Sequence, residues 1–92
     1  MEWQVKIEGK PKERILVIFE PRYERIIFSG QYSIKNKWYE FSQESHPMDI
    51  DLETIQSFLI KVYDEMDKRL KVYEDLNKSF LIIKSVEMLN ET

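Results

Sequence analysis

Arg14-Ile15-Leu16-Val17-Ile18-Phe19 holds five consecutive apolar residues. The run is short for a helix, and Ile15, Val17 and Ile18 are β-branched, with stiff side chains that suit a pleated surface. Successive strand residues point to opposite faces, so an unbroken apolar run predicts a strand buried on both sides, the central strand of its sheet.

The flanks extend this reading. Upstream, Trp3, Val5 and Ile7 alternate with Gln4, Lys6 and Glu8, the period of a strand with one wet face. Gly9-Lys10-Pro11-Lys12 then turns the chain, Pro11 presetting φ. Downstream, Glu20 to Glu24 forms a second turn around Pro21, and Arg25 to Phe28 resumes the strand pattern. Ser29-Gly30 marks a bulge or bend, beyond which Gln31 to Ile34 continues the third strand. Lys35-Asn36-Lys37 reverses the chain again, because Asn tolerates the left-handed conformation of short hairpin loops. Trp38 to Phe41 is the fourth strand.

Residues 42–50 are polar, include His46-Pro47, and read as a loop ending at Asp51. The Asp51 carboxylate is suited to cap the free amides of a first helical turn, with Glu53 favourable at the positive end of the dipole. From there Ile55, Phe58, Leu59, Val62, Tyr63, Met66, Leu70, Tyr73 and Leu76 recur at helical spacing. They cover an arc of about 140°, the width of a core-facing stripe. Acid-to-base pairs Asp64–Lys68, Glu65–Arg69, Asp67–Lys71 and Glu74–Lys78 line the other side, each worth about 0.2–0.5 kcal/mol. Asn77 reads as the stop. Residues 80–88 are apolar on both parities and read as a fifth strand, a second helix being the alternative.

The expected fold is therefore α+β: one domain over residues 1–92, with a five-stranded antiparallel sheet made of a four-strand meander, a long helix and a final strand. The helix packs on one face of that sheet. A right-handed crossover places the last strand beside the first, in the order 5-1-2-3-4.

Composition narrows the function. The 92 residues include no Cys, which removes disulfide scaffolds, thiolate metal sites and cysteine nucleophiles, and points to a reducing, cytoplasmic setting. The opening Met1-Glu2-Trp3-Gln4-Val5 has neither the basic nor the apolar stretch expected of a leader, and no apolar run approaches the ~20 residues that span a bilayer. With two glycines in the chain there is no phosphate-cradling loop or dinucleotide fingerprint. His46 is the single imidazole and, in a polar loop, reads as solvated. Asp49, Asp51 and Glu53 resemble the opening of a calcium loop, but Thr54 stands where such a loop needs Gly and Ile60 where it needs Glu. No catalytic residue, metal site or cofactor is assigned.

Two geometric expectations remain. A helix of about 26 residues measures ~39 Å, whereas strands of six residues span ~20 Å, so the helix overhangs its sheet. One helix also leaves a sheet face bare, and strands apolar on both parities then expose large side chains. A second copy, or another protein, is the expected cover, with Leu16, Ile18, Ile27, Leu81 and Ile83 as interface candidates.

A competing reading rests on Trp38, Tyr39 and Tyr32, interleaved with Lys35, Lys37 and Arg25, because aromatic platforms flanked by cations bind single-stranded nucleic acid. A meander followed by a long helix resembles the Whirly-type single-strand binders in element order. The net charge of −3 weighs against that partner.

Overall fold

The computed structural model describes the backbone of residues 1–90 and the side chains of residues 1–80. Its elements are β1 (Glu2–Lys6), β2 (Glu13–Glu20), a short 3-10 turn (Pro21–Tyr23), β3 (Arg25–Ile34), β4 (Lys37–Pro47) and α1 (Leu52–Asn90). The strands form an antiparallel meander in the order β1-β2-β3-β4.

Each reversal has a local cause. Lys35 and Asn36 both adopt positive φ, 52° and 66°, the pair that a tight hairpin turn of right-handed twist requires. Glu24, at φ 50°, ends the 3-10 turn that Pro21 starts, its amide donating to the Pro21 carbonyl. Between Gly30 and Gln31 the register with β4 shifts: Gly30 faces Ser42 and Gln31 faces Glu40, so Phe41 is the extra residue of a bulge.

β4 is the first correction. It runs on to Pro47 and takes in most of the segment expected to be a loop. Ser42, Gln43, Glu44, Ser45 and His46 are polar because β4 is an edge strand, yet each pairs in register with β3. Polarity without Gly misled the sequence reading, since backbone pairing is indifferent to it.

The second correction concerns the end of the chain. A fifth strand over residues 80–88 is not shown; the backbone of these residues belongs to α1, and the order 5-1-2-3-4 goes with the missing strand. No Gly or Pro follows Pro47. Asn77 inside a helix costs well under 1 kcal/mol relative to Ala, too little to stop one already propagating. The other end is as expected: the Thr54 amide donates to Asp51 Oδ1 at 2.8 Å and the Ile55 amide to the Asp51 carbonyl at 3.0 Å. Hydrogen bonds from Thr54, its side chain first and then its amide, hold the Asp51 carboxyl below its ordinary pKa of 3.8.

Register fixes the faces. Trp3, Val5, Ile15, Val17, Phe19, Ile26, Phe28 and Gly30 share the face on which α1 lies. Ile15, Phe28 and Val62 form the buried centre, ringed by Ile26, Ile55, Phe58 and Leu59. Phe28 is fully buried and stacks on Phe58, ring centres 5.7 Å apart. Gly30 lets the helix approach closely: a Cβ there would collide with Ser42 Oγ and press on Val62. Burial of α1 ends abruptly. Met66 and Leu70 are buried and Tyr73 is half-buried, but every described residue from Glu74 to Phe80 is exposed.

Candidate functional site

The two long sides of α1 differ. On the side toward β4 it is tied down by directed bonds. Ser42 Oγ donates to the Val62 carbonyl at 2.7 Å, buried; Arg69 Nη1 donates to the Phe41 carbonyl at 2.7 Å; Lys61 pairs with Glu44 at 3.0 Å. The His46 ring lies 4.9 Å from that of Phe58, and Phe41 meets Tyr73 edge to face at 5.9 Å. His46 thus packs against the helix instead of standing in a solvated loop.

On the side toward β1 the helix meets little. α1 packs on β4 and β3 and only marginally on β2. Strands sit about 4.8 Å apart and a helix is about 10 Å wide, so one helix covers roughly half of a four-stranded sheet. The uncovered half forms a groove. At one end it is a hollow of about 320 Å³ lined only by apolar side chains, among them Trp3, Val5, Val17, Phe19, Ile55 and Leu59. The middle is bounded by Ile7, Ile15, Leu59, Ile60 and Tyr63. The far end widens to about 500 Å³ and turns polar, with Lys10, Lys12, Glu13, Asp67, Lys71 and Glu74 in its wall. Trp3 is 50 % exposed and Ile60 64 %.

The polar end has its own order. Lys10 Nζ donates to the Tyr63 hydroxyl at 2.6 Å and stands 3.7 Å from Glu13 Oε2. It remains 5.3 Å from the centre of the Tyr63 ring, so it sits beyond the hydroxyl at the ring edge and not over the face. The hydroxyl, then the Glu13 charge, raises the Lys10 pKa above its ordinary 10.5. A raised lysine pKa stabilises the fold fully below 10.5, and that contribution is lost as pH rises through the folded-state value. The contact therefore persists at neutral pH.

The opposite sheet face carries Leu16, Ile18 and Ile27, which register places together, Ile18 beside Ile27. Ile27 is buried at 7 % exposure, and Leu16 and Ile18 are half-buried. The rest of that face is a connected polar belt. Ser29, 1 % exposed, donates to Glu40 Oε2 at 2.6 Å and accepts from Gln31 Nε2 at 3.1 Å. Gln31 Oε1 accepts from Arg14 Nε at 2.9 Å, and the Arg14 guanidinium lies 4.0 Å from the Trp38 ring centre. Polar groups satisfied in this way leave a small apolar patch, less than two-faced strands imply. Residues 81 and 83 lie on helical backbone past the sheet, so Leu81 and Ile83 do not join that patch; their side chains lie outside the described residues.

The aromatic and basic candidates do not converge. Trp38 lies on the belt face, while Tyr32 meets Phe41 on the helix side at 6.0 Å. Tyr39 is opposite Tyr32, and Lys35 and Lys37 flank the hairpin there. Arg25 is at the other end of β3, paired with Glu20 at 3.2 Å and 5.2 Å from the Tyr23 ring centre. Seven strand residues, about 23 Å, separate it from Tyr32, the nearest of the others along β3.

The groove is what the sequence reading missed. Its signal was the width of four strands against one helix, together with the shared parity of Trp3, Val5, Val17 and Phe19. Among the described residues no group of three or more His, Asp or Glu side chains could hold a metal ion, and no helix is long and apolar enough to cross a membrane. No family model, curated protein or solved structure matches the chain.

Proposed function

We propose that this chain is a non-enzymatic interaction domain that associates with a second copy of itself through apolar surface its own helix leaves uncovered. One observation carries this reading: α1 is tied along its β4 side and leaves an apolar groove along its β1 side. Trp3, Val5 and Phe19 at its apolar end, joined through Leu59 to Ile60 in its middle, offer apolar surface that monomers generally cover. The patch at Leu16, Ile18 and Ile27 is a secondary contact at most, because the polar belt beside it is already satisfied. Nucleic-acid binding has less support, since its aromatic and basic residues are divided between two faces and two ends.

Light scattering across a concentration series tests the proposal. The expected species has twice the 11.2 kDa chain mass, and Ile60→Glu returns it to single mass with stability changed by less than about 0.5 kcal/mol, as for other exposed positions. A chain that keeps the single mass up to millimolar concentration overturns it.

A further inference from the structure

The groove and the projecting end of α1 are complementary in length and in chemistry. The groove follows the helix from Ile55 to Glu74, about 28 Å at 1.5 Å per residue. Beyond it, α1 runs on through residues 75–90 for about 24 Å, and the residues of this stretch whose side chains are described, 75–80, are exposed. The sheet's longest strand has 11 residues, about 36 Å, whereas the molecule is 62 Å long.

Both surfaces are graded. Near the point where the helix leaves the sheet the groove is charged, and toward Trp3 and Ile55 it is wholly apolar. In the projecting segment, Asp75 to Ser79 holds one apolar residue, Leu76. Residues 80–90 hold seven of eleven: Phe80, Leu81, Ile82, Ile83, Val86, Met88 and Leu89. Measured outward from the same point, each surface passes from polar to apolar. An antiparallel partner helix matches the gradients, whereas a parallel one opposes them.

The segment cannot reach its own groove. With no Gly or Pro after Pro47 the helix has no residue at which to fold back. A second copy supplies the same segment at the same spacing. A two-fold axis along the sheet normal, passing beside α1 near residue 72, lays the two helices antiparallel and side by side. The rotation exchanges left and right, so each groove opens on the side where the other helix runs. The two engagements are then identical and the assembly is closed. A third of a helix surface buried over ~24 Å on each copy, counted on both partners, gives on the order of 1,100 Å², at the lower end of specific interfaces.

We infer that two copies exchange their helix ends, the 75–90 segment of each lying in the groove between β1 and α1 of the other. This deepens the self-association proposed above and rests on it. Around an axis between residues 72 and 73, position 60 of one copy lies alongside position 85 of the other.

Because the chain contains no Cys, two single variants report this directly. Ile60→Cys and Ser85→Cys, each first shown to keep the wild-type circular dichroism and mass, are mixed as full chains and oxidised gently. The expected product is the mixed 60–85 disulfide, in at least tenfold excess over 60–60 and 85–85. The double variant then yields a covalent dimer of two bridges. Dominant 85–85 bridges in a species of double mass overturn the exchange and leave self-association standing, with the helix ends paired to each other. A species of single mass that forms no bridge overturns both. Should either cysteine variant lose the wild-type spectrum, spin labels at Lys61 and Lys84 take their place. A short distance between copies for the 61–84 pair, compared with 84–84, supports the exchange, and the reverse order overturns it.

Discussion

The two sides of α1 are made from the same helix and differ in what they meet. Toward β4, helix side chains and carbonyls find directed partners: Ser42 on the Val62 carbonyl, Arg69 on the Phe41 carbonyl, Lys61 on Glu44. Toward β1 the helix has one such partner, Lys10 on the Tyr63 hydroxyl, and otherwise offers Leu59 and Ile60 to a trough whose opposite wall is Trp3, Val5 and Ile7. Hydrogen bonds fix position because they are directional, whereas apolar burial rewards any cover of suitable shape. The β4 side therefore sets where the helix sits, and the β1 side is left for something else to cover.

Three substitutions sharpen that contrast. The largest effect is expected from Gly30→Val, which drives a branched side chain into the seat of the helix. Ser42 Oγ must move off the Val62 carbonyl and Val62 itself must shift, for a loss of about 1–3 kcal/mol in urea unfolding at unchanged slope. Ser42→Ala removes the buried donor and nothing else, and should cost about 1 kcal/mol by the same measurement. If it costs nothing, the β4 side is held by packing and by the Arg69 and Lys61 contacts, without help from Ser42.

The smallest effect is at the start of the helix. Asp51 has a lowered pKa, so its stabilisation is complete above 3.8 and disappears as pH falls through the folded-state value. Asp51→Asn keeps a capping oxygen and removes the charge. Its melting temperature should lie slightly below wild type at pH 7, and the two curves should converge below pH 3.8 as the wild-type carboxyl protonates. Parallel curves down to pH 2 would mean that the cap acts only through its hydrogen bond.

The meander was legible because its signals are local: Pro11, Pro21 and Asn36 punctuate it, and Trp3-Val5-Ile7 and Ile15 to Phe19 carry the period. Asp51 was legible for the same reason, as a carboxylate ahead of a periodic run. What escaped is set by partners that single segments do not name. Ser42 to His46 is a strand because β3 lies beside it. Residues 80–88 remain on the helix because nothing before them breaks it, although their apolar pattern on both parities also fits a strand. The exposed surface escaped for a geometric reason, since parity separates faces but does not tell how much of a face one helix covers. Leu16, Ile18 and Ile27 share a face as expected, but Ser29, Gln31 and Glu40 share it too.

The strand order has a further consequence, in time and not in space. Each strand pairs with the one before it, across turns of a few residues, and the helix returns to the strand that immediately precedes it. No pairing has to wait for a distant segment, so the loop-closure entropy of each step is small and the contact order is low for a sheet protein. Refolding should be fast and proceed hairpin by hairpin, with docking of the helix on Gly30 and Ser42 the one step that needs β3 and β4 already paired.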